Sequence, residues 1–196
     1  MKYSEVKKMI LRTLAVALVL VMPWAGALAA DVASWSELQQ QLGGWGGSVT
    51  LTADIVAEGT INVSEYDSKT VVLNDYTLTP LSGSASVFNL AGSNANLVYV
   101  VDDETEFIHA ASDPGSTKIQ LAGNIELTAS VTLANAQTIE QSGGSLTLAS
   151  GVTLSAEVST YAGLNSALAN DSITSVKLTG NIRVDNGYTL NNLSKI

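Results

Sequence analysis

Val49-Thr-Leu51-Thr-Ala-Asp54-Ile55 reads as a short strand, a polar turn and the start of a second strand. The same pattern returns as Ile119-Gln-Leu121-Ala-Gly-Asn124-Ile125 and again as Val176-Lys-Leu178-Thr-Gly-Asn181-Ile182. The likeness continues, at one offset, to Ile61-Asn-Val63, Val131-Thr-Leu133 and Tyr188-Thr-Leu190. Each copy follows a segment with helical character: Ser34 through Leu42, Thr105 through Ala111, and Ser159 through Leu168. Trp35/Leu38/Leu42 and Tyr161/Leu164/Leu168 have the spacing of one apolar helix face, and Phe107 holds the matching aromatic place. Ser34 and Thr160 are the expected N-caps, with Glu37 completing a capping box. Three copies with matching flanks make a true internal repeat.

Between the helical segments the chain is written in short strands. Val49–Leu51, Ile61–Val63, Val71–Leu73, Thr77–Leu78, Val87–Leu90 and Leu97–Val101 fall in the first unit. Lys118–Leu121, Ile125–Leu127, Val131–Leu133, Thr138–Glu140, Leu146–Leu148 and Val152–Leu154 fall in the second. Strands this short suit a chain that returns on itself every ~20 residues, as from Ile119 to Ile139 or from Val176 to Ile196. The fold expected is therefore all-β: a right-handed parallel β-helix with short interspersed helices, inward Val, Ile and Leu stacking in columns. Asp54, Asn124 and Asn181 sit before an inward Ile, where left-handed turn geometry and bonds to the adjacent layer are expected. An antiparallel β-sandwich is the alternative, although it leaves the helix-plus-strand repeat unexplained.

The 196-residue chain carries nine basic and 18 acidic groups, a net charge of −9, and no cysteine. That excludes disulfides, thiolate catalysis and cysteine-based metal sites, and argues against nucleic acid as a partner. Lys2, Lys7, Lys8 and Arg12 precede an apolar run from Leu14 to Met22, followed by Ala27-Leu-Ala29. This is the plan of a secretory signal-peptide helix, with cleavage expected after Ala29. The apolar run is short of the roughly 20 residues a membrane span needs, so no stable span is expected after cleavage. Residues 1–29 hold four basic groups and one acid, so their removal takes the net charge from −9 to −12. The expected organisation is a leader over 1–29 and a β-helix domain over 30–196. Its three units run over about 32–103, 104–157 and 158–196. Because Ile196 matches Ile139, the third unit is expected to be incomplete, and the chain to be the N-terminal portion of a longer bacterial protein or a truncated reading frame.

These features resemble the pectin-lyase-like right-handed β-helix domains of bacterial surface proteins, including adhesins and autotransporter passenger domains. The resemblance is carried by Trp35…Leu38…Leu42…Val49-Thr-Leu51…Ile55, by Tyr161…Leu164…Leu168…Val176-Lys-Leu178…Ile182, and by Gly143-Gly144-Ser-Leu146-Thr-Leu148 and Gly151-Val-Thr-Leu154. It implies a secreted, non-catalytic cell-surface or adhesion scaffold whose partners are glycans or proteins of host or cell surfaces. A carbohydrate-active or carbohydrate-binding module is the other function the fold hosts.

The residues themselves offer little for catalysis, and no catalytic, cofactor or metal site is expected. Lyases of this fold pair clustered Asp with a cationic base, and after the leader only Arg183, Lys69, Lys118, Lys177 and Lys195 are cations. Arg183 and Lys177 have only Asp185 near them in sequence, so a solvated surface pair is expected. Asp102-Asp103-Glu104-Thr105-Glu106 lacks the alternating spacing of a calcium loop and suits the N-terminus of a helix instead. His109 has no second His or Cys. Trp45, within Gly43-Gly44-Trp45-Gly46-Gly47, offers a ring for stacking on a sugar, although a packing role over the end of the domain is the weightier reading. Asn62, Asn170 and Asn192 head formal glycosylation triplets, without meaning in a bacterial source.

Overall fold

The computed structural model describes residues 29–134, 137–183 and 190–196. The leader, apart from its last residue, lies outside these residues, as do Asp185 and Tyr188. Fifteen strands follow one another as β1 (Ala30–Val32), β2 (Ser48–Leu51), β3 (Ile55–Val56), β4 (Ile61–Val63), β5 (Ser68–Val72), β6 (Leu78–Thr79), β7 (Phe88–Leu90) and β8 (Asn96–Val101). They continue as β9 (Lys118–Leu121), β10 (Ile125–Leu127), β11 (Val131–Leu133), β12 (Thr138–Gln141), β13 (Leu146–Leu148), β14 (Leu154–Val158) and β15 (Ser175–Leu178). Three helices interrupt them: α1 (Trp35–Leu42), α2 (Glu104–Ser112) and α3 (Tyr161–Ala169). No described helix is long and apolar enough to cross a membrane.

Every strand pairing among the described residues is parallel, which removes the antiparallel sandwich. The largest sheet runs β1-β2-β5-β8-β9-β12, and the others are β3-β6, β4-β7, β10-β13 and β11-β14-β15. Across the large sheet, Ala30, Val49, Val71, Tyr99, Ile119 and Ile139 face one another in a single column. The expected match of Ile119 with Ile139 is thus a direct pairing. Alternation supplies the inward faces: Val49/Leu51, Ile119/Leu121, Ile125/Leu127 and Val131/Leu133 are buried. One apolar cluster extends from Val32 to Val176, continuous across the expected unit boundaries.

The repeating element is longer than the sequence suggests. Each helix joins two neighbouring strands of one sheet: α1 links β1 to β2, α2 links β8 to β9, and α3 links β14 to β15. Parallel neighbours need such a crossover, and a helix supplies it. The third copy departs from the other two, because Val176 pairs with Ala156 in the β11-β14-β15 sheet, away from the large one. A crossover returns the chain beside the strand it left, so β14 fixes the sheet that β15 joins. Ile196 also differs from expectation: it follows a 3-10 turn over Leu193–Lys195 and is exposed, unlike the paired Ile139.

The helix caps are as expected at Ser34 and Thr160, whose hydroxyls accept from the N–H of Glu37 and Gly163 at 3.3 and 3.1 Å. Glu37 reaches back one residue further than a capping box requires, accepting from Ala33 N–H at 2.8 Å. Asp103 caps α2, accepting from Glu106 N–H at 2.8 Å. Counting from these caps, Phe107 takes the place of Leu38 and Leu164, and Glu104 the place of Trp35 and Tyr161. The aromatic equivalence is therefore shifted by one helical turn.

Side chains also stitch the strand entrances together. Asp54 Oδ1 accepts from the N–H and hydroxyl of Thr77 at 2.8 and 2.9 Å, and Asn124 Oδ1 from those of Ser145 at 3.1 and 2.9 Å. Ser130 Oγ accepts the equivalent pair from Thr153. The cross-layer bonds expected of Asp54 and Asn124 are present, but the left-handed geometry is not. Non-glycine residues with positive φ are Tyr66, Asn74, Asp75 and Asn192. Asp54 and Asn124 are not among these, nor is Asn181, which is exposed.

Gly144 lies so close to the layer beneath that a Cβ there would overlap the carbonyl oxygen of Gly123. Neighbouring Gly143 has room, with its nearest atom at 3.7 Å. Gly144→Ala is expected to cost about 1–3 kcal/mol and Gly143→Ala a few tenths, since overpacking against backbone has no flexible end to yield. Urea midpoints of the two variants test this, and equal midpoints would contradict the contact.

Candidate functional site

Two places gather chemistry-bearing residues, and both are built from turns between layers. The first is a cleft of about 200 Å³ lined by Asp75, Tyr76, Thr77, Asp103, Thr105, Glu106 and His109. The carboxylates of Asp75, Asp102 and Asp103 lie within 4.8 Å of one another. Hard oxygen donors of this kind suit a divalent cation. Much of the acidity is nonetheless committed to the fold. Glu106 accepts from the N–H of Asp75 at 2.6 Å and of Asp102 at 2.8 Å, and so ties the Asn74–Asp75 turn to the start of α2. Glu104 accepts from Thr128 and from Ala129 N–H at the entrance to β11.

The titrations follow from these bonds. Burial pushes the Glu106 carboxyl up, against the two N–H donors, and the acids Asp102 and Asp103 push the same way as burial. Glu104 is held down by the Thr128 N–H and hydroxyl, and Asp54 by those of Thr77. Burial pushes the His109 pKa down, against the Asp113 carboxylate and a backbone hydrogen bond to Leu78, which both push it up. Its ring stands edge-on to Tyr99 at 6.1 Å, and the Tyr99 hydroxyl donates to Asp113 at 2.7 Å. Burial, then Asp113, drives the Tyr99 hydroxyl well above its ordinary range. Of the residues singled out in the sequence, only the acid run and His109 meet here. Asp75 was missed, its signal being the Asn74-Asp75 dipeptide that turns with positive φ at both residues.

The lysines after the leader are all engaged. Lys118 pairs with Glu140 at 2.8 Å and Lys177 with Glu157 at 2.6 Å, both near the surface. Lys195 donates to the carbonyls of Leu168 and Asn170. Arg183 is exposed and also has an interaction partner.

The second place is the glycine loop of Trp45. It sits on a buried ion pair, Lys69 with Asp67 at 2.9 Å. Lys69 Nζ also donates to the carbonyls of Gly44 and Gly46, while Asp67 Oδ1 accepts from Gly46 N–H at 2.6 Å and Ser68 N–H at 2.8 Å. Thus both charges are satisfied largely by the loop itself. The Trp45 side chain points away from this anchor with 77% exposure, so it does not serve the packing role expected of it. The loop backbone is thus fixed while the Trp45 ring is presented to solvent.

The chain matches no protein-family model, no curated protein and no solved structure. What these comparisons leave standing is the class the coordinates define, a β-rich domain of parallel sheets crossed by short helices.

Proposed function

We propose that this chain winds as a right-handed parallel β-helix of the pectin-lyase-like kind. Once exported and freed of residues 1–29, it serves as a non-catalytic binding scaffold at the cell surface. The observation that carries the reading is the column Ala30–Val49–Val71–Tyr99–Ile119–Ile139, in which parallel partners recur about once per circuit. Parallel crossovers of the kind α1, α2 and α3 make are right-handed in nearly all proteins. Support for a scaffold comes from the commitment of charge to structure: the lysines are held by carboxylates or carbonyls, and Glu104 and Glu106 by backbone donors. Glycans and proteins of host or cell surfaces are the proposed partners. The exposure of Trp45 favours one variant of this reading, a carbohydrate-binding module, over a carbohydrate-cleaving enzyme.

Expression of the full chain in a bacterial host tests export and inertness together. The expected product lies outside the inner membrane, begins at Ala30, and releases no unsaturated oligosaccharides from pectin or alginate. Retention of the intact leader in the cytoplasm, or robust lyase activity, would overturn the proposal.

A further inference from the structure

The geometry points to the corner carrying Trp45 and Tyr66 as a platform for the rings of an uncharged glycan. The inference rests on the binding-scaffold reading and names its contact surface. Trp45 and Tyr66 are exposed to 77% and 76%, the two most exposed large apolar side chains among the described residues. Each immediately precedes one partner of the hydrogen bond from Gly46 N–H to Asp67 Oδ1. They therefore stand on successive layers at one corner, in line with the register that sets Ser48 opposite Thr70.

Tyr66 is held there in a left-handed conformation, with φ at 65°. A side chain in that region costs about 1–2 kcal/mol, which glycine at the same turn would avoid. Asp67 beside Tyr66 and the loop under Trp45 are both locked by Lys69, so the two rings start from fixed backbone. Preorganisation of this sort lowers the ordering cost of binding.

The surroundings select the chemistry. Glu65, next to Tyr66 in the chain, accepts through Oε1 from Asn94 Nδ2 at 3.1 Å, so the turn that carries Tyr66 also bears a carboxylate and an amide. Flat apolar faces next to hydrogen-bonding groups match a pyranose, which has an apolar face and a hydroxyl edge. The only cation in the corner, Lys69, is fully buried and bonded inward. With the net charge taken from −9 to −12 by removal of residues 1–29, polyuronates and sulfated glycans are disfavoured, leaving neutral hexose or N-acetylhexosamine chains.

Calorimetric titration of the exported protein with cellohexaose and chitohexaose, with polygalacturonate as the anionic comparison, tests this. Saturable binding of at least one neutral oligomer is expected, weakened tenfold or more in both Trp45→Ala and Tyr66→Gly. Tyr66→Gly removes strain with the ring, so its unfolding midpoint is expected at or above that of the parent, separating lost binding from lost folding. Failure of a folded parent to bind either neutral oligomer would overturn the inference. So would undiminished binding in either variant, or polygalacturonate bound as tightly. None of these results touches export or lyase inertness, on which the scaffold reading is judged.

Discussion

Lys69→Met is expected to destabilise the protein by about 3–5 kcal/mol, because it strands the Asp67 carboxylate in the interior without its cation. The ammonium also donates to the carbonyls of Gly44 and Gly46, which lose their donor in the same step. For a chain of this size the loss corresponds to a drop in Tm of about 10 °C. Combining it with Asp67→Asn should recover part of the loss, since the amide oxygen can still accept from Gly46 N–H while the orphaned charge disappears. Burial raises the Asp67 pKa, but the Lys69 ammonium and the Gly46 and Ser68 N–H groups outweigh it and hold the carboxyl below its ordinary range. A depressed folded-state pKa gives stability that is complete above the unfolded value, about 3.9, and is lost as pH falls through the folded value. The parent should therefore lose stability below about pH 4 more steeply than the double variant. Thermal unfolding from pH 2 to 7 checks both statements, and a single variant within ~1 kcal/mol of the parent would show that the pair is not buried as described.

Phe107→Ala is expected to cost about 3–5 kcal/mol, the loss for truncating a fully buried aromatic. Phe107 occupies the place of Leu38 in α1 and Leu164 in α3, where a helix presses on the strands it connects. Tyr161 opens α3 and is only half-buried, so Tyr161→Ala should cost less than ~2 kcal/mol. Denaturant titration of the two variants separates the cap-based alignment from one that equates the aromatics by type. Equal losses would favour the latter.

Most of the strands, though not β1, were legible because inward Val, Ile and Leu alternate with polar residues over short runs. The recurrence of Ile119 at Ile139 gives one register outright. The caps at Ser34 and Thr160 were legible for a local reason, since an N-cap contacts a residue three positions away. What failed depends on distant contacts. Strand β5 starts at Ser68, but Lys69 at its second position hides the alternation, and only the loop 23 to 25 residues earlier makes that lysine an interior residue. Strand β14 was expected over Val152–Leu154, whereas it spans Leu154–Val158 with Ala156 and Val158 buried. The sheet that β15 joins could not be read from its own residues, which match those of β2 and β9. In the aromatic corner, Trp45 was visible as a candidate, whereas Tyr66 became one only when the Gly46–Asp67 bond joined the two turns.

Paired strands of the large sheet are separated by different lengths of chain without loss of register. Lys69 faces Leu97 across a far longer stretch of chain than the one separating Lys118 from Thr138, yet both pairings belong to one unbroken sheet. The surplus is taken up in part by residues 81–85, which stand in solvent. A bend that lies outside the paired strands can change in length or sequence while the sheet register and its buried face stay as they are.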